Sequence, residues 1–269
     1  MSRASFCCAM STALFGFLVS SAFAQSSVSD QIQIAPPMRQ VAAPPADASP
    51  AELERQGDDL RYCKQYLDAI DYYQAALAKT QSAAVINKLG ITELMLQRFK
   101  EAGRDFERAI KVDRSLSDAV NNLGVIHYER RKYGTAIKQY KKAIALRPDS
   151  ASFYSNLGAA YFASKDFEHA TQAYAKAVEL DPDIFEHTSR SGISAQMASP
   201  EDRAHYDYVV AKLYAKMGDR DHSLEFLRKS MEEGYKDVKN VYTDPEFADL
   251  RKDVRFEQLM KAKPMPIPE

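Results

Sequence analysis

Tryptophan is absent from this 269-residue chain and glycine is scarce, with only 10 residues. Both shortages weigh against glycine-loop nucleotide folds and most all-β folds. No Walker or dinucleotide glycine pattern occurs. Neither sign of charge prevails. Thirty-six basic against 37 acidic residues leave a net charge of −1, which argues against a dedicated nucleic-acid or acidic-lipid binder. No Asn-x-Ser/Thr sequon exists, since Asn87, Asn121, Asn122, Asn156 and Asn240 all have another residue type two places on. That absence fits bacterial export slightly better than a eukaryotic secretory route. What remains is a chain with 45% hydrophobic and 27% charged residues, the composition of a helix-rich soluble protein.

The first 24 residues stand apart. Arg3 is followed by an apolar stretch from Phe6 to Val19, and Ala22-Phe23-Ala24 precedes Gln25. This charged, apolar, small-x-small order is that of a secretory signal peptide cleaved after Ala24. An N-terminal membrane anchor is the alternative, but the apolar run falls short of the roughly 20 residues that span a bilayer. Cys7 and Cys8 lie ahead of the run and leave with the peptide, so Cys63 alone remains, read as a packing residue. Residues 25–49 hold Pro36, Pro37, Pro44 and Pro45 among alanine and polar residues, and are expected to be an extended linker.

From residue 50 onward a repeat dominates. Leu-Gly pairs end at Gly90, Gly124 and Gly158, two equal steps of 34. Alanine follows each glycine after 12 residues (Ala102, Ala136, Ala170), an aromatic four later (Phe106, Tyr140, Tyr174), and a second alanine three beyond (Ala109, Ala143, Ala177). The same comb fits earlier as Gly57, Ala69, Tyr73 and Ala76. Apolar residues such as Ala136, Ile137, Tyr140, Ala143 and Ile144 recur with helical period. Small residues at the glycine and the first alanine let two helices approach to about 8–10 Å, with the aromatic packed into their crossing.

At these residues, over 50–183, the chain resembles the tetratricopeptide repeat family. The resemblance implies an all-α fold, a right-handed superhelical solenoid of antiparallel helix pairs, here in four units. Leu53, Ile86, Val120 and Tyr154 stand at the family's usual tryptophan position. Residues 184–203 break the period as an inserted loop with Gly192. Ser199-Pro200-Glu201-Asp202 then caps a new helix, and 204–234 form a fifth pair through Tyr208, Ala211, Leu213, Tyr214 and Gly218, then Ser223, Leu224, Leu227 and Met231. Two short helices in 235–262, carrying Phe247, Leu250, Phe256 and Leu259, resemble the closing module of exported bacterial members, with a tail at 263–269. Such a module gives the last unit of a solenoid its polar outer face.

Chemistry is sparse. His127, His169, His187, His205 and His222 show no standard zinc spacing, although His187 and His205 flank the insertion. His127 is expected as a hydrogen-bonded core residue. Gly192-Ile193-Ser194 lacks the second glycine of a nucleophile elbow. No catalytic residue, metal or cofactor is expected. Arg130, Arg131, Lys132, Lys138, Lys141, Lys142 and Arg147 form a basic run without an acid, expected as a solvated outer face. The family resemblance places the ligand groove on the first helix of each unit. There it implies Asn87, Ile91 and Met95 beside Asn121, Asn122, Val125 and Tyr128, then Asn156 and Phe162. Asparagine amides can hold the backbone of an extended peptide. Packing between units is the competing role for Tyr128 and Phe162. The family's carboxylate clamp is not reproduced, because of its five positions only Asn122 matches.

The function expected is a non-catalytic scaffold or adaptor binding protein or peptide in the bacterial cell envelope or exterior, with no nucleic acid and no membrane span after signal cleavage. Alternatives are a structural or pilot subunit of an envelope machine, and an accessory to a glycan or hydrolase system.

Overall fold

The structure, a computed structural model, describes residues 41–185 and 200–262. The expected signal peptide, most of the expected linker, most of the expected inserted loop with His187 and Gly192, and the expected tail lie outside the described residues. Every regular element among the described residues is helical, and the chain divides into two compact units at Thr80 and Gln81.

The first unit holds one helix pair, α1 (Pro50–Tyr62) and α2 (Tyr66–Lys79). Ser49 caps α1 by accepting from the Glu52 N–H, and Pro50 opens the helix where no donor is needed. Gly57 lies under the Tyr73 ring, so a β-carbon there would meet ring atoms at 2.7 Å. The stretch 41–48, expected as open linker, instead lies along α2. Lys79 donates to the Ala46 and Ala48 carbonyls at 2.7 and 2.5 Å, and Tyr72 donates to the Ala42 carbonyl at 3.4 Å.

The second unit begins with three pairs: α3 (Ala83–Met95) with α4 (Phe99–Val112), α5 (Ser117–Glu129) with α6 (Tyr133–Leu146), and α7 (Ala151–Ala163) with α8 (Phe167–Leu180). The comb accounts for each crossing. A β-carbon at Gly90 or Gly124 would meet the Phe106 or Tyr140 ring at 2.7 or 2.6 Å, and Gly158 sits equally tight under Tyr174. The alanines Ala102, Ala109, Ala136, Ala143, Ala170 and Ala177 have no exposed surface. Ile86 and Val120, where the family usually has tryptophan, are fully buried too.

Each pair turns at the same point. Seven residues after the glycine the backbone enters the left-handed region, at Gln97 (φ 58°), Arg131 (φ 56°) and Lys165 (φ 66°). In every case the next N–H reaches back to close the first helix, as Arg98 does to the Glu93 carbonyl at 2.9 Å. Residues of this kind adopt that conformation at some steric expense, which the closing hydrogen bonds offset.

After α8 the pattern changes. The fifth pair is α9 (Pro200–Met217) and α10 (Arg220–Glu232). It keeps the comb: Ala211, Ser223, Leu227 and Ser230 stand where glycine, alanine, aromatic and alanine would be, and all four are fully buried. Gly218 takes the left-handed turn at φ 83°. The direction of docking, however, is reversed. Within the repeats each pair starts beside the end of the one before, as where Arg147, after α6, lies 4.6 Å over the Phe153 ring near the start of α7. Against α8, by contrast, Lys165 meets Asp202 at 2.7 Å, the Tyr174 and Tyr206 rings lie 5.3 Å apart, and Tyr214 donates to the Pro182 carbonyl at 2.6 Å. Contacts that climb in step along both segments mean that α9 runs parallel to α8. The fifth pair therefore does not continue the stack in register, in line with the break in period at 184–203.

The chain then makes three short 3₁₀ turns, Val238–Tyr242, Pro245–Phe247 and Leu250–Lys252, before α11 (Val254–Ala262). The first of the two expected helices is thus a pair of 3₁₀ turns, because Asp244-Pro245 and Asp249 interrupt any longer run. Val241, Phe247, Leu250 and Phe256 are all buried, and Phe247 packs against Tyr208 of α9 with ring centres 5.6 Å apart. Asp244 accepts from the Tyr208 hydroxyl at 3.0 Å and pairs with Lys212 at 2.9 Å.

Candidate functional site

The groove residues expected from the sequence lie on α3, α5 and α7, but most of them face inward. Asn121, Asn122 and Phe162 have no exposed surface, and Val125, Tyr128, Asn156 and Asn87 are also buried. Of the expected set only Met95 is properly exposed, at 43%, with Ile91 partly buried beside it.

The four asparagines form a ladder through this interior. Asn122 donates its amide to Asn87 Oδ1 at 3.1 Å, Asn121 donates to Asn122 Oδ1 at 3.3 Å, and Asn156 donates to Asn121 Oδ1 at 3.1 Å. Buried amides must find partners, and here they find each other across three successive first helices, α3, α5 and α7. The long bonds span 122 − 87 = 35 and 156 − 121 = 35 residues, one more than the repeat, so each links two adjacent positions of neighbouring units. These amides are committed to holding first helices together rather than left free for a peptide backbone. The sequence carried a signal for this, namely the tandem Asn121-Asn122 flanked at equal distance by Asn87 and Asn156.

Two tyrosines of the comb show the same economy in reverse. The Tyr140 and Tyr174 hydroxyls are buried without a hydrogen-bond partner, while Phe106 fills the equivalent place with no hydroxyl at all. His127 is half-buried and its Nδ1 also lacks a partner, so the hydrogen-bonded core role expected for it is not met at that atom. Burial, aided by Lys132 and Arg130, holds the imidazole below the ordinary histidine range.

Aromatic side chains concentrate where α9 meets α7 and α8. His205 lies 5.1 Å from Phe162, 4.7 Å from Phe167 and 5.4 Å from Tyr235, stacked on the last, and burial lowers its pKa. His222 is held by Asp219 at 2.6 Å. On the same pair, burial and the neighbouring Glu233 push the Asp207 carboxyl up to about 7, against the opposing pull of Lys229 and Arg203. Among the described residues no group of three His, Cys, Asp or Glu side chains is placed to hold a metal ion, and no helix is long and apolar enough to cross a membrane. Cys63 is half-buried at the end of α1 and is disulfide-bonded. It is therefore not the lone packing residue expected.

The basic run separates into two groups. Arg147 pairs with Asp118 at 2.5 Å and stacks on Phe153, and Arg130 donates to the Phe99 carbonyl at 3.3 Å, so both have structural work. Lys138, Lys141 and Lys142 are exposed on α6, with Lys141 5.5 Å over the Tyr161 ring.

Three family models match within this region: TPR repeat over 126–165 and tetratricopeptide repeat over 151–184 and over 87–144. A curated relative, a chloroplastic protein of Arabidopsis thaliana, is 33% identical over 63 residues, 23% of this chain and 19% of its own length. The chain thus spans about a fifth of that relative. The structure of Pseudomonas aeruginosa pilF is similar with a TM-score of 0.50 at 16% identity, covering 76% of this chain and 82% of that one. The Cut9 and Hcn1 tetramer structure from APC/C is similar with a TM-score of 0.50 at 17% identity, covering 76% of this chain and 35% of that one. These two likenesses concern the fold.

Proposed function

The chain belongs to the tetratricopeptide repeat family, its matched repeats spanning residues 87–184, and from that premise we propose that it is an exported, non-catalytic scaffold that binds protein in the bacterial cell envelope or exterior. One observation carries this reading. Three successive pairs are locked by the same glycine–aromatic crossing, with Gly90, Gly124 and Gly158 each under a ring, and the buried interior is spent on packing and on the asparagine ladder. A rigid stack of this kind offers extended side-chain surfaces rather than a reaction centre. Export rests on the signal-peptide order of residues 1–24 and the small-x-small site before Gln25.

Co-purification of the full chain from its native host, with chemical cross-linking, tests the scaffold. One or a few proteins retained in fixed proportion are expected. A chain that elutes alone from every fraction would remove the adaptor role. N-terminal sequencing of the exported form should begin at Gln25, and an intact Met1 on a cytoplasmic protein would remove the export proposal.

A second reading, that of an assembly or pilot subunit working through its outer face, draws support from the burial of Asn121, Asn122 and Asn156. With those amides committed inside the stack, the outer helices offer more free polar side chains than the expected groove does.

A further inference from the structure

The basic residues of α6 belong to a longer row. Stepping by the repeat, 138 − 104 = 34 pairs Lys138 with Arg104, while 142 − 108 = 34 and 176 − 142 = 34 align Lys142 with Arg108 and Lys176. Residues at equal register in successive units stand side by side on successive second helices, so a period in the sequence becomes a row on the surface. Arg104, Arg108, Lys138 and Lys142 are exposed, and Lys176 is half-buried beside Glu179 at 2.6 Å. Among the described residues no carboxylate lies within ion-pair distance of Lys138 or Lys142, whereas Arg104 and Arg108 both act on the Asp105 carboxylate of their own helix. The flanking helices are mixed in sign, with Glu101, Asp105 and Glu107 on α4 and Glu168 and Glu179 on α8. α6 between them carries no acid from Tyr133 to Leu146.

A chain with net charge −1 has no general excess of lysine to scatter, so two exposed lysines without an acidic partner, in register with Arg104, Arg108 and Lys176, are a local feature. We propose that this row, centred on Lys138 and Lys142, docks a carboxylate-rich segment of a partner protein. It rests on the scaffold reading and specifies the surface and the chemistry of the partner. A linear acidic segment suits a narrow row better than a bilayer does. An anionic membrane is a plane, and it would bring Glu101, Glu107, Glu168 and Glu179 against lipid phosphates along with the lysines. The large exposed apolar residues of these helices, Val112, Leu146 and Phe167, sit at helix ends and form no insertable face.

The test uses the full chain and a labelled helical peptide of glutamate and alanine at low salt. The double reversal Lys138→Glu, Lys142→Glu is compared with an equal reversal elsewhere, Lys216→Glu, Lys239→Glu, at two exposed lysines. Wild type should bind, carbodiimide should cross-link the peptide to Lys138 or Lys142, and the first reversal should weaken binding at least about tenfold. The second should leave binding within about twofold, and both variants should melt as wild type does. The proposal fails if the peptide does not bind, if both reversals weaken it alike, or if cross-links fall elsewhere. It also fails if phosphatidylglycerol vesicles or duplex DNA bind more tightly than the peptide through the same two lysines. A native-host partner retained by the Lys138→Glu, Lys142→Glu variant would overturn this row while leaving the scaffold standing. The absence of any partner would remove the scaffold itself.

Discussion

The pairs α3–α8 and the pair α9/α10 are built on the same internal plan and joined to their neighbours in opposite ways. In both, small residues line the crossing: Gly124 lies under Tyr140 in one region, and in the other the Ser223 hydroxyl donates to the Ala211 carbonyl at 2.8 Å, with Leu227 buried at the aromatic's register. In both, the turn passes through the left-handed region seven residues later, at Arg131 and at Gly218. Yet α9 runs parallel to the helix before it, and its contacts are aromatic rather than small. The comb therefore determines how two helices cross within a pair. It does not determine which way the next pair faces. That is decided by the length of the connection and by the surface available, and the cluster of Phe162, Phe167, Tyr174, Phe185, Tyr206 and His205 supplies a surface that differs from the alanine seams.

The largest test of this comparison is to end the chain at Tyr235. That removes the buried Val241, Phe247, Leu250 and Phe256, each contributing roughly 1.5–3 kcal/mol when large and fully buried. We expect α9 and α10 to unfold in a separate early transition while α3–α8 stay helical, as circular dichroism with hydrogen exchange would show. A single cooperative melt of unchanged midpoint would mean that the two regions do not depend on the C-terminal turns differently.

Next in size is Gly124→Ala. Its new methyl would lie 2.6 Å from a Tyr140 ring atom, and overpacking of that kind destabilises by about 1–3 kcal/mol. Urea unfolding should show the loss in the repeat region first. A neutral result would mean that the ring is the adaptable partner.

Asp207 tests the fifth pair by pH, as Asp105, raised by burial to about 6, does on α4. Its pKa is raised to about 7 in the folded protein against about 4 when unfolded, so the folded state binds the extra proton. This contribution is fully present below about pH 4 and is lost as pH rises through about 7. Arg203, Lys229 and Glu233 are the charged groups that act on it. Asp207→Asn should flatten that decline and stabilise the fifth pair by about 1–2 kcal/mol at mildly alkaline pH. Equal pH dependence in wild type and variant would place the titrating group elsewhere.

The smallest effect is expected at Gly134, whose β-carbon position has no atom within 4 Å. Gly134→Ala should stabilise α6 by about 0.4–1 kcal/mol, the reverse of Gly124→Ala. The two glycines of one unit would then show that glycine is required only where a ring lies over it. Destabilisation at Gly134, read from the same urea curves, would break that contrast.

Much of this was legible in the residues. Gly90, Ala102, Phe106 and their copies predict the helix pairs, because a period of 34 with a ring opposite a glycine has few other physical meanings. The direction of α9 was not legible, since an amphipathic pattern is the same whichever end of the helix is met first. Only the break at 184–203 hinted at a change. The burial of most candidate groove residues was not legible for a related reason. Position along the helix placed Asn121, Asn122 and Asn156 on the first-helix side, but their exposure depends on the neighbouring unit, which no single helix encodes. The 3₁₀ turns around Pro245 escaped notice because their Asp and Leu spacing also fits a short α-helix.

The parallel docking of α9 bears on assembly as well. Identical modules joined head to tail can accept another module without end, which is how non-closing contacts produce filaments. A final pair that faces the other way presents a terminus of mismatched polarity, so a further copy of α3/α4 arriving at that end would find no seam to continue. Orientation thus limits the array at that end together with the C-terminal turns that pack on α9.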